Sequence, residues 1–130
     1  MMVLALSLIA AQTTLADTTP NPSAVQYRDV REHYGVVCGQ INRPNKAGGY
    51  EGFDPFAYRG PQDWVIWANA GYLVSTPEGL IDTTENMHVV MQTRATAENS
   101  AWLDKLTDQV VRGSARGRAL LQECRQVPVR

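Results

Sequence analysis

Two histidines, a scatter of carboxylates and one pair of cysteines are the residues of this chain that could do chemistry. His33 and His88 lie in different segments, at no spacing that makes a metal pair, and a lone histidine is a poor marker of catalysis. With a nearby Lys or Arg they could act as acid and base on a phosphodiester, as in small exported nucleases. The charge argues against such a substrate. A formal net charge of -1 and a pI near 6.1 leave no basic footprint for nucleic acid or an anionic membrane. Glu51 and Asp54 stand three apart in an expected strand, hence on opposite faces, whereas glycoside hydrolysis needs two carboxylates flanking one bond. Asp63, Glu78, Asp82 and Glu85 adjoin turns and read as solvated loop charges. No Gly-x-Ser-x-Gly elbow occurs, and neither Ser75 nor Ser114 has a nucleophile's context. The expectation is therefore no catalytic residue, no metal and no cofactor, with a hydrolase built on His33 or His88 and acidic partners as the alternative.

Cys38 and Cys124 belong to no C-x-x-C motif, which favours a bond over a reactive or metal-binding thiol. An even pair in an exported chain reads as one disulfide. It would close a loop of about 87 residues, worth roughly 4 to 5 kcal/mol on the chain-entropy account.

Export is expected from residues 2–16, MVLALSLIAAQTTLA, an uncharged apolar stretch ending in small residues suited to signal cleavage after Ala16. The basic residues that usually open such a leader are missing, which points to a translation start upstream of Met1. The run is shorter than the roughly 18 to 20 residues that span a bilayer, so no membrane span is expected after cleavage. About 114 residues would remain, enough for one domain over 24–130 behind a flexible segment at 17–23, DTTPNPS.

Apolar periodicity supplies the elements that would position these groups. Residues 24–30, AVQYRDV, approximate strand alternation, and Tyr34 to Ile41 is β-branched and bounded by turn residues. Asn42 to Gly49, NRPNKAGG, reads as a turn, and Tyr50 to Tyr58 as the strand returning from it. Pro55 places that strand near an edge or a bulge. Residues 64–75 form a third apolar run in which both faces look covered, the mark of a sheet centre. Thr76 to Gly79 is a turn, and 87–93, MHVVMQT, a further strand.

The period then changes to that of a helix, with Ala101, Trp102, Leu103, Leu106, Val110 and Val111 on one expected buried face. Thr96 or Asn99 could cap its start. Gly113 and Gly117 should weaken its middle, and Leu120 or Leu121 with Cys124 should point inward. The fold expected is α+β: a small antiparallel sheet of a hairpin at about 35–58 plus strands at about 64–75 and 87–93, packed by a C-terminal helix at about 98–124.

The glycine run at 48–52 lacks the Lys-Ser/Thr of a phosphate loop and leads into a strand, so turn geometry explains it. Tyr50, Phe53, Phe56, Tyr58, Trp64 and Trp67 crowd into eighteen positions, more than one small core face needs. Some should be exposed as a protein-recognition or saccharide-stacking surface, or else packed beneath the C-terminal helix. Asn42, Asn45, Tyr50, Phe53 and Tyr58 are the candidate binding residues.

The pattern C-G-x-[IV]-N-x-x-N-x-x-G-G-Y-x-G-F-x-x-F, carried by Cys38, Gly39, Ile41, Asn42, Asn45, Gly48, Gly49, Tyr50, Gly52, Phe53 and Phe56, resembles that of a group of small exported bacterial proteins and lipoproteins. The preceding PSAVQYRDV also looks like the segment upstream of the motif in that group. The chain departs from it at Arg43-Pro44 and Lys46-Ala47. The resemblance implies export and a shared fold, and no catalytic residue. Together these readings point to a non-catalytic periplasmic or secreted binding or accessory protein, an inhibitor or envelope-interaction module whose partner is a protein or a saccharide. A purely structural envelope component is the remaining alternative.

Overall fold

A computed structural model describes residues 2–68, 71–83, 89–90 and 92–126. Six antiparallel strands form one sheet whose spatial order follows the chain, β1-β2-β3-β4-β5-β6. They are β1 (Gln26–His33), β2 (Val36–Asn42), β3 (Asp54–Gly60), β4 (Asp63–Ala68), β5 (Gly71–Thr76) and β6 (Gly79–Asp82). Among the described residues two long helices flank the sheet, α1 (Met2–Ala16) and α2 (Ser100–Glu123). The α+β architecture with a C-terminal helix on a small antiparallel sheet is as the sequence implies.

Strand alternation divides the core into two layers. Val36, Cys38, Ala57, Val65, Trp67, Tyr72 and Val74 face α2, where Leu120, Leu121 and Cys124 meet them. Val37, Ile41, Phe56, Tyr58, Trp64 and Ile66 face the other way and pack with Ala11 and Leu15 of α1. Covering both faces is why β2 to β5 read as nearly continuous apolar runs. Cys38 and Cys124 are disulfide-bonded across 86 residues, their Cα atoms 5.7 Å apart. The bond ties β2 to the C-cap of α2.

Several elements depart from the sequence reading. The run at 64–75 is two strands, because the chain reverses between Ala68 and Gly71, which pair with each other. The strand expected over 87–93 is not one of the six. Val89, Val90 and Gln92 are helical, with the Thr93 amide donating to the Val89 carbonyl at 3.0 Å, and 87, 88 and 91 lie outside the described residues. In its place β6 pairs with β5 beyond the two-residue turn closed by Thr76 and Gly79.

The return of the β2–β3 hairpin starts at Asp54 rather than Tyr50. Gly52 has φ +118°, outside extended geometry, and its amide donates to the Asn42 side chain at 3.3 Å instead of to a ladder. Asn99 is the N-cap residue of α2 but makes no side-chain cap. Its amide group instead bridges the Thr96 N–H at 2.7 Å and the Arg94 carbonyl at 3.1 Å. Residues 17–23 hold turns and a short 3-10 helix at Pro22–Ala24.

The buried face of α2 is Leu103, Val110, Gly113, Gly117, Leu120 and Leu121, while Trp102 and Val111 are exposed. The inward positions 103, 110, 117 and 124 recur every seven residues, a narrow seam rather than a wide stripe. Gly117 falls on that seam and Gly113 beside it, and both let the helix settle on the sheet.

Candidate binding cleft

The asparagines of the β2–β3 loop do structural work. Asn45 Oδ1 accepts the amides of Ala47 and Gly49, each at 3.0 Å, forming the turn in which Gly48 has φ +87°. Asn42 is buried, donating from Nδ2 to Gln26 Oε1 at 3.0 Å. Tyr58 is only 5% exposed and lies in the α1-side core. Neither Asn42 nor Tyr58 can present itself to a partner, since each is committed to the interior. Tyr50 remains 44% exposed, its hydroxyl donating to the Ala24 carbonyl at 2.6 Å. Phe53 is half-buried beneath the Arg28 guanidinium, 4.2 Å from the ring centroid. Of the crowded aromatics, Phe56, Trp64 and Trp67 are core residues as well.

Among the described residues the chemistry-bearing side chains do not converge on a metal or acid-base site. His33 ends β1 with its ring edge-on to Tyr34, centroids 4.6 Å apart, and His88 lies outside the described residues. Among the described residues no group of three or more His, Cys, Asp or Glu could hold a metal ion. Glu51 belongs to the loop and not to a strand, so its charge reaches Asp54 after all. Burial raises the Asp54 pKa above its ordinary value, the Arg43 charge opposes that rise, and Glu51 adds to it.

A concave feature lies at the other end of the sheet, between the β5–β6 turn and the middle of α2. This cleft of about 570 Å³ is walled by Thr76, Glu78, Gly79, Leu80 and Ile81 on one side. Lys105, Gln109, Arg112, Gly113 and Arg116 form the other wall. Those helix positions are spaced by four, three, one and three residues, which keeps them on one face. The opposing hairpin contributes Leu80, an apolar side chain 60% exposed. Gly113 lets the two walls touch at the floor, since a Cβ there would meet Ile81 Cδ1 at 2.9 Å.

Electrostatics give the cleft a sign. Its lining holds three cations, Lys105, Arg112 and Arg116, against one carboxylate, Glu78. Arg112 pairs with Asp108 at 2.9 Å and Arg116 with Asp63 at 3.1 Å, where Asp63 also accepts from Arg59 Nε at 2.6 Å. Lys105 takes part in none of these ion pairs. Arg116 Nε is buried without an acceptor, so that guanidinium retains an unused donor. The arrangement can hold an anionic group.

Sequence reasoning passed over this cleft. From sequence Glu78 reads as a solvated loop charge and α2 as a covering element, although polar residues recur at 105, 109, 112 and 116. It also missed Tyr34, 91% exposed at the β1–β2 hairpin tip. Tyr34 and Gly35 have φ +50° and +84°, the paired positive values of a tight two-residue hairpin. No protein-family model, curated protein or solved structure matches the chain.

Proposed function

We propose that this chain is a non-catalytic binding or accessory protein of the cell envelope, exported to an oxidising compartment, that engages its ligand at the cleft between the β5–β6 turn and α2. The observation that carries the reading is the cleft, open and lined by cations from one face of a helix. That helix is fixed to the sheet by a covalent bond at its C-cap. A rigid scaffold presenting a polar, concave surface suits recognition.

Export is supported by the apolar segment at 2–16 and by the disulfide, a bond that persists outside the reducing cytosol. No helix among the described residues is long and apolar enough to cross a membrane. An envelope accessory role also draws on the exposed rings of Tyr34 and Tyr50, amphipathic side chains common at protein interfaces.

The test is capture from an envelope extract with the disulfide-bonded protein and with a variant carrying Lys105→Glu and Arg112→Glu. Both positions are exposed, so the variant should fold. A ligand retained by the parent and lost by the variant supports the proposal; equal retention places recognition elsewhere. Mass spectrometry of the cellular protein checks export. A chain beginning at Asp17 supports it, and an uncut chain with two free thiols refutes it.

A further inference from the structure

We infer that the ligand of the cleft is an extended acidic peptide segment, with carboxylates on alternate residues, belonging to a protein partner. The inference rests on the cleft being a binding site and goes on to name what fits it.

The cations are spread out and do not converge. Along the axis of α2, Lys105 and Arg112 are about 10 Å apart and Arg112 and Arg116 about 6 Å apart, at 1.5 Å per residue. A single phosphate or carboxylate cannot touch all three. An extended chain can, because its same-side residues recur about every 6.8 Å. Acidic side chains at alternate positions would then face α2 in near register, with the flexible Lys105 taking up the mismatch. The intervening side chains would face the hairpin wall, where Leu80 stands 60% exposed and offers an apolar contact.

Other extended polyanions fit less well. Pyranose rings bind by laying their C–H faces on aromatic planes, and the lining of this cleft has no aromatic residue. Single-stranded nucleic acid needs stacking platforms of the same kind, and a duplex needs a broad basic face that a chain of formal charge -1 does not supply. Among the described residues Lys105 is in no ion pair and Arg112 is paired only at the exposed surface, which together suit a ligand bearing about two negative charges. Asp108 and Asp63 hold Arg112 and Arg116 in place meanwhile. At the exposed Arg112–Asp108 pair an incoming carboxylate displaces a weak partner, because such surface pairs contribute little.

The experiment is NMR titration of the full-length, disulfide-bonded protein with three probes. These are an acetylated Glu-Val-Glu-Val-Glu amide, its Gln-Val-Gln-Val-Gln counterpart and trigalacturonate. The acidic peptide should shift the amides of Ile81, Lys105, Gln109 and Arg112. Its affinity should fall at least about tenfold in the Lys105→Glu, Arg112→Glu variant, and fall again as salt is raised. Equal binding of the glutamine peptide, or undiminished binding to the variant, overturns the inference. If trigalacturonate shifts these amides and the acidic peptide does not, the peptide assignment fails while binding at the cleft stands. If none of the probes shifts them and envelope capture does not depend on Lys105 and Arg112, both fail.

Discussion

Gly117 sits directly on Val65: a Cβ at Gly117 would lie 3.0 Å from the Val65 Cγ2 and equally close to that of Val74. Both valines are β-branched and fully buried, so neither can move aside. Gly117→Ala gains about 1 kcal/mol of helix propensity but overpacks the core at a cost of about 1 to 3 kcal/mol. The expected result is a net loss near 1 kcal/mol, read from the urea midpoint at unchanged slope. Gly113→Ala should stay within about 0.5 kcal/mol of the parent, because its nearest obstacle is the tip of the partly exposed Ile81. Equal stabilisation by both alanines would mean that α2 does not rest on Val65.

Those glycines mark where the sequence could be read and where it could not. A helix over 98–124 was legible from its apolar spacing, and so was the inward direction of Cys124 and of Leu120 or Leu121, both of which are buried. Which stripe faced the sheet was not, since Trp102 and Val111 outweigh two glycines on any scale of apolarity. Only the seven-residue recurrence of 103, 110, 117 and 124 separates seam from surface. Strand existence was clear wherever both faces are buried, as at Val65 and Ile66. Strand ends were not, because one glycine at 52 takes the chain out of the ladder. The cleft was hardest to see. It is made by Leu80 and Arg112, residues that meet only after a hairpin and a helix have packed.

The Cys38–Cys124 bond predicts a large and specific stability loss. Its loop spans 86 residues, and loop closure of that size contributes roughly 4 to 5 kcal/mol at most. Replacing both cysteines with alanine should lower the denaturation midpoint by several kcal/mol equivalents, and reduction of the parent should approach the same value. A thiol titration of the unreduced protein should find no free cysteine. A midpoint unmoved by reductant would show that β2 and the C-cap of α2 are held by packing alone.

Asp54 predicts a pH effect of opposite sense to the usual carboxylate. Its pKa is raised above 3.8 chiefly by burial, so the folded state prefers the protonated acid. The stability this group contributes is present below 3.8 and is lost as pH rises through the raised value. Asp54→Asn keeps the shape and removes the buried charge, so it should stabilise the protein at neutral pH and lose that advantage in acid. Urea midpoints at neutral pH and below 3.8 give the comparison. A variant less stable at neutral pH would mean that Arg43 outweighs burial at this site.

Removal of residues 2–16 predicts a change that a single tyrosine reports. The Tyr27 hydroxyl donates to the Gln12 carbonyl at 2.7 Å, and burial, aided by the Asp17 charge, pushes its pKa up to about 12. The folded state therefore keeps the phenol neutral, and the stability this confers is present below pH 10.0 and lost as pH rises through about 12. Cleavage after Ala16 takes away the helix against which the hydroxyl rests but leaves Asp17. The Tyr27 pKa should then fall most of the way to 10.0. The same cut uncovers the sheet face that holds Phe56 and Ile66, which are now fully buried, so a hydrophobic dye should bind the shortened chain and not the full one. Near-ultraviolet titration of each form, with the corresponding Tyr27→Phe spectrum subtracted, isolates this residue. If Tyr27 ionises at the same pH in both forms, α1 is not what shields it, and the sheet face it overlies must be covered by other means.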